Sequence, residues 1–264
     1  MNARLSSSAA EPEGLRTLSR ATRLLRLLAE TKAPQPLSVL APRSGLHKAT
    51  VHRVLGALVL EGLVDQTPEG YVLGHQLWLL GQAAAARFDL HDLATPALRR
   101  IAEATSDVAL LSLLAGATAR CVAREEGSHP ILPMTLRAGS VRPLGCGAHA
   151  LALLAALPDA EVERIIARGE DRAAFPAFTE AYLRDKVAET RAQGFALSDQ
   201  DIAAGMTAVG VLVRDPWGRP FASLSCAAIS ARLEPARRPE IVALLKGAAA
   251  EIETQLAGRQ RSKP

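Results

Sequence analysis

Apolar positions recur along the chain with two different periods, and these periods divide it into elements. Over 17–31, Leu18, Ala21, Leu24, Leu25 and Leu28 fall at helical spacing, and Pro34 and Pro36 close that helix. Residues 38–43 predict a short second helix, which the Ser44-Gly45 pair breaks. A third helix follows over 48–61, with Gly62 just past its end. Its Val51, Val54, Leu55 and Leu58 stand at i, i+3, i+4 and i+7, so they bury one stripe. Residues 63–73 read as two short strands around Thr67-Pro68-Glu69-Gly70. Helix, helix, turn, helix and hairpin make a winged helix-turn-helix.

The remainder alternates strands and helices. Helical patterns cover 74–87 and 92–105, and strands are expected over 108–115 and 119–125, turning at Gly116. A further strand is expected over 131–136. Helices follow over 145–157, 158–168 and 181–193. Strands over 207–214 and 221–228 flank Asp215-Pro216-Trp217-Gly218 as an antiparallel hairpin, and 239–256 is a terminal helix. Strands with helices before, between and after them predict an α/β sandwich. The expected division is a polar, disordered tail over 1–14, a winged helix-turn-helix domain over 15–74 and a connecting helix over 75–90. An α/β domain over 91–256 and a basic tail over 257–264 complete it.

Charge sharpens the first third. Net charge is +4, and ten Lys/Arg stand against six Asp/Glu up to Arg87, with twenty-one of each beyond it. The whole excess lies where the helix-turn-helix lies, as a polyanion partner would require. In such a motif the residues opening the third helix face base edges. This selects His47, Lys48, Ala49, Thr50, His52 and Arg53, with Thr50 suited to a phosphate and Arg53 to a guanine or a bidentate phosphate contact. The competing account makes these solubilising residues on an ordinary amphipathic helix.

Composition limits the other classes. The chain has 264 residues, 48% hydrophobic but only 3% aromatic, so its core is aliphatic. Cys121, Cys146 and Cys226 are too few and too scattered for a disulfide framework. The opening residues lack the apolar core of a signal peptide, and no apolar run is long enough to span a bilayer. A cytoplasmic protein is expected. Cys146 and His149 are three apart, the spacing of a Cys/His pair or half of a metal site on a helix. Completing a metal site would require His129, Cys121 or Cys226. No nucleophile elbow, phosphate loop or dinucleotide fingerprint accompanies them. The expectation is therefore no enzyme, no metal and no cofactor, with a hydrolase or metal protein using Cys146 and His149 as the remaining alternative.

The order of motifs resembles the IclR-type bacterial transcriptional regulators. The stretches that carry the resemblance are LRTLSRATRLLRLLAE (15–30), SGLHKATVHRVLGALVLEGLV (44–64) and GYVLGHQLWLLG (70–81). RPLGCGAHALALLAALPDAEV (142–162), QGFALSDQDIAAGMTAVGVLVRD (193–215) and PFASLSCAAISAR (220–232) follow in order. Pro42, the run Cys146–Leu151 and the run Ser198–Gly205 depart from the family pattern. The resemblance implies a winged helix, a linker helix and a sensor domain of GAF/PAS-like α/β fold, acting on a double-stranded operator as a dimer or a dimer of dimers. It also implies effector contacts at Ile131, Met134, Ala148, His149, Ser198, Asp199, Ala208, Ser225 and Ala227. These are mostly small or apolar, with His149, Ser198 and Ser225 supplying polar groups, the usual composition of a small-molecule pocket. Helix N–H groups near Gly147 suit a carboxylate, which favours a small organic or aromatic acid, and a His149 titrating near neutrality would add charge. The alternative is a C-terminal domain that only dimerises. Leu77, Trp78 and Leu80 of the linker helix are the expected seam.

Overall fold

The computed structural model describes residues 13–31, 33–88, 90–169 and 174–261; most of the expected tail over 1–14 and the last three residues lie outside them. The chain forms two compact units, Met1–Ala86 and Arg87–Pro264.

In the first unit, α1 (Glu13–Ala29), α2 (Leu37–Ser44) and α3 (Lys48–Leu60) precede a hairpin of β1 (Val64–Thr67) and β2 (Gly70–Leu73), and α4 (His75–Phe88) follows. The expected stripe is buried: Val51, Val54, Leu55 and Leu58 pack with Leu24 and Leu28 of α1, Leu40 of α2, and Val64 and Tyr71 of the hairpin. Gly45 turns the chain between α2 and α3. It is left-handed, at φ 62°, and its N–H returns to the carbonyls of Ala41 and Pro42, a conformation glycine adopts without steric cost. Pro42 does not stop α2, which runs on to Ser44 with Pro42 exposed near its end. The hairpin is pinned to the α1–α2 connection by Gln35 and Tyr71, each donating its N–H to the other's carbonyl at 2.9 Å.

The second unit is a six-stranded antiparallel sheet in the order β5-β4-β3-β8-β7-β6. Its strands are β3 (Val108–Ala115), β4 (Thr118–Glu126), β5 (Val141–Pro143), β6 (Ala196–Asp199), β7 (Met206–Arg214) and β8 (Pro220–Ile229). The outermost strands, β5 and β6, are three and four residues long. Side-chain alternation sorts the sheet into two faces. Ala109 and Leu111 of β3, Val209, Val211 and Val213 of β7, and Ala222, Leu224, Cys226 and Ala228 of β8 pack against α5 (Leu90–Thr105) and α9 (Arg238–Arg261). The opposite face meets α6 (Ala148–Ala155) and, at β6, α8 (Glu180–Gln193), and α7 (Asp159–Arg168) packs against α8.

Two expectations fail here. Residues 131–136 are not a strand. Pro133 has no N–H to offer a ladder, and the neighbouring edge of β4 is taken instead by Gly139 and Ser140, which pair with Cys121. Arginine side chains hold the segment by its carbonyls: Arg124 donates to Leu136 at 3.0 Å and Arg142 donates to Thr135. Residues 196–199, to which the pattern assigned no element, form the edge strand β6. The helix expected from 145 begins only at Ala148, so Cys146 precedes it and does not share a helical face with His149.

Candidate functional site

The first candidate site is the start of α3. No side chain caps this helix, and the Thr50 N–H bonds back to the His47 carbonyl at 2.9 Å, so the positive end of the helix dipole is left without a side-chain partner. His47, Lys48, Ala49, His52 and Arg53 are exposed and Thr50 is half-buried. Lys48, His52 and Arg53 form no hydrogen bond or ion pair with another described residue. Three basic-type side chains, unpaired, therefore stand on the face opposite the buried stripe. That is the geometry of a helix that lies in the major groove and is positioned by phosphates.

The second candidate site is a cleft on the α6 face of the sheet. Its floor comes from strand register. Ser198 of β6 pairs with Ala208 of β7, Ala208 with Ala227 of β8, and Gly210 with Ser225, which pairs in turn with Leu110 of β3. Ser198, Ala208, Ser225 and Ala227 thus meet from three strands, and all four line the cleft. Gly147, Ala148 and His149 bring in the start of α6. The helix comes this close because residue 210 is glycine: a Cβ there would stand 2.7 Å from the Ala148 carbonyl oxygen. Pro133, Thr135 and Leu136 close the cleft from above, and Arg142 of β5 enters from the side.

Six of the nine expected effector residues therefore converge: Ala148, His149, Ser198, Ala208, Ser225 and Ala227. Three do not. Ile131 and Met134 are 56% and 53% exposed, because the segment that carries them is not a strand. The Met134 sulfur instead lies 3.3 Å from an Arg124 nitrogen. Asp199 follows Ser198 on a strand and must face the other way. It accepts from the Thr207 hydroxyl at 2.7 Å and from Arg238 of α9 at 2.8 Å, and these bonds hold its carboxyl below the usual range.

The cleft's electrostatics were not legible in advance. Arg142 is 8% exposed. It donates to the Thr135 carbonyl and sits over the Phe175 ring at 5.6 Å. It has no carboxylate partner among the described residues, and burial draws its pKa below the ordinary arginine value. His149 is pushed down to about 3 by burial and then by the Arg142 charge, so the expected protonated imidazole does not form near neutrality. Two buried atoms of the cleft, His149 Nε2 and Ser225 Oγ, have no hydrogen-bond partner. Ser112 and Ser223 carry similarly orphaned hydroxyls that do not line it. Arg142 is the one Lys, Arg, Asp or Glu between Arg137 and Asp159, and that isolation was the available signal.

The alternative Cys146/His149 pair does not share a helix face, because α6 begins only at Ala148. Burial pushes the Cys121 thiol up to about 11 and the Cys226 thiol up to about 12, so neither is a ready thiolate. His129 is engaged with Ile131 through Nδ1. Among the described residues no group of three His, Cys, Asp or Glu is placed to hold a metal ion, and no helix is long and apolar enough to cross a membrane.

Comparison with known proteins agrees with this geometry. Residues 17–68 match the IclR helix-turn-helix domain, and residues 82–254 match the family described as bacterial transcriptional regulator IclR C-terminal. The glycerol operon regulatory protein of Streptomyces griseus is 31% identical over 259 residues, covering 93% of this chain and 98% of that protein. An IclR transcriptional regulator from Alicyclobacillus acidocaldarius is similar in structure, with a TM-score of 0.65 at 26% identity over 92% of this chain and 98% of that one. An IclR homolog from Microbacterium hydrocarbonoxydans, solved in complex with 4-hydroxybenzoate, gives 0.63 at 25% identity over 92% and 99%. With a helix-turn-helix unit, an α/β unit and both family matches in the same order, the chain belongs to the IclR family of DNA-binding transcriptional regulators.

Proposed function

We propose that this regulator reads an operator with α3 and that a small organic acid in the sheet-and-α6 cleft modulates its DNA binding. The observation that carries the ligand half is the pair of buried, unpartnered polar atoms, His149 Nε2 and Ser225 Oγ, at one cleft. Burying a polar group without a partner costs free energy that a ligand hydrogen bond would recover. The 4-hydroxybenzoate complex of the Microbacterium homolog supports the same reading. On the DNA side, His47, Lys48, Ala49, Thr50, His52 and Arg53 form the contact surface.

The working division is a reader domain over 15–74, a linker helix over 75–90 and a sensor over 91–256. The chain acts as a cytoplasmic regulator rather than an enzyme. It works as a dimer or a dimer of dimers, since one reader helix covers few base pairs. Exposed Trp78 and Leu80 and half-buried Leu77 on α4 support a seam there.

One observation favours a second reading, in which the C-terminal unit only assembles the protein. The cleft volume is about 40 Å³, room for a few water molecules at about 10–15 Å³ each and too little for an organic acid. A ligand-bound form must therefore move the segment over Pro133–Leu136 outward. The deciding experiment is a titration of operator DNA, found in the DNA flanking the gene, with and without 4-hydroxybenzoate and related acids. A shift in operator affinity supports the sensor. Unchanged affinity across the whole set leaves assembly as the function of this unit.

A further inference from the structure

We propose that Arg142 is the specificity-determining residue of the cleft and that it selects ligands bearing a single carboxylate. The inference rests on the sensor reading above. Arg142 is a buried cation without a carboxylate: it is 8% exposed, and no described Asp or Glu forms an ion pair with it. A buried charge is retained at a cost unless it is paired. Here one guanidinium N–H is engaged by the Thr135 carbonyl and the ring of Phe175 lies beneath the group. A guanidinium has five N–H donors in a planar fork that matches a carboxylate, so donors remain for a ligand.

The other polar groups of the cleft are neutral. His149 stays uncharged next to Arg142, and Ser225 offers a hydroxyl. Leu110, Leu136, Ile202, Met206 and Ala227 supply the apolar remainder of the wall. One cation, neutral hydrogen-bonding groups and an apolar wall describe a monocarboxylate with an apolar body. A dicarboxylate would bring in one charge with no counterpart.

The test uses full-length protein and calorimetric titration with acetate, pyruvate and benzoate, each beside its primary amide, at millimolar concentration. Wild type is expected to bind at least one acid and to prefer it to its amide about 10–100-fold, the range of a charge-assisted hydrogen bond. Arg142→Met is expected to lose that preference. Without ligand it should melt at the same temperature or higher, because an unpaired buried charge has been removed; a residue serving the fold alone would give a lower one. If Arg142→Met does not fold, Arg142→Lys carries the comparison, with acid affinity falling and amide affinity unchanged. Ala208→Phe fills the cleft and should block every ligand. A preference for acids that survives in the Arg142 variants, with Ala208→Phe still blocking, overturns the role of Arg142 and leaves the cleft in place. Binding that survives Ala208→Phe, or no binding of any acid or amide by wild type, overturns the sensor reading itself and this inference with it.

Discussion

Arg142 and His149 line one buried cleft, and burial together with the guanidinium holds the imidazole neutral, with its pKa at about 3. The histidine's unfolded value is near 6.5. Between those values the unfolded chain binds a proton that the folded chain refuses, so stability falls as pH falls. The contribution is complete above pH 6.5 and is lost progressively toward pH 3. The slope from this group approaches about 1.4 kcal/mol per pH unit within the window. Urea unfolding at pH 7, 6, 5 and 4 should show that slope in wild type and a shallower one in His149→Leu. Parallel slopes would show that His149 is not the group responsible.

The exposed start of α3 predicts a division of labour. Arg53→Ala should weaken operator binding by about 1–3 kcal/mol and relax specificity at one base pair if the guanidinium reads a base. Lys48→Ala should weaken binding evenly across sequences and lower the salt slope by about one if its ammonium meets only phosphate. Neither should alter the melting temperature, because both side chains are exposed. Fluorescence anisotropy at several salt concentrations measures all three quantities, and wild-type affinity in both variants would remove α3 as the reader.

The apolar surface of α4 predicts self-association. Trp78, Leu79 and Leu80 are 65%, 47% and 59% exposed, an unusual cluster for a surface left open to water. Light scattering at micromolar concentration should give at least a dimer. Trp78→Glu combined with Leu80→Glu should shift the mass toward the monomer and weaken operator binding with it. A monomeric wild type would refute the seam.

The orphaned cleft atoms predict the ligand response. His149→Leu combined with Ser225→Ala should abolish the change in operator affinity that an acid effector produces in wild type. A typical coupling of about 1–3 kcal/mol corresponds to roughly a 5–150-fold change, so the loss is measurable. A double variant that responds with wild-type affinity would place the effector elsewhere.

Gly210 predicts a steric effect. An added methyl would stand 2.7 Å from the Ala148 carbonyl oxygen and 3.3 Å from the His149 nitrogen. Both belong to backbone, which yields only by moving α6. Gly210→Ala should therefore destabilise by about 1–3 kcal/mol, the usual cost of overpacking, and weaken acid binding as well. Chemical denaturation and calorimetry on the same variant would show whether the two losses occur together.

Local periodicity made the reader unit legible. The stripe Val51, Val54, Leu55 and Leu58 lies in one helix, and the hairpin follows within a few residues, so short-range pattern and fold coincide. The second unit was legible in its long strands and helices but not in its cleft. β6 is four residues long with Ser198 and Asp199 at its end, and it is a strand only because β7 offers it a ladder. The apolar residues around Pro133 resemble a strand by composition, yet side chains rather than a ladder hold them. Arg142 escaped because it stands just before the long, mostly apolar run from Leu144 to Leu157, which reads as core. Its meaning depends on Ser198, Ala208 and Ser225, which reach it only across the sheet.

The two rim strands of the sheet are its shortest, at three and four residues. A sheet grows by backbone pairing along its rim, and backbone pairing is indifferent to sequence. Here an incoming chain finds few free N–H and carbonyl groups in a row along either strand. Promiscuous strand addition is thereby discouraged, and recognition of other molecules falls to side chains. Partner choice in this unit can then change through surface substitutions while the sheet beneath keeps its register.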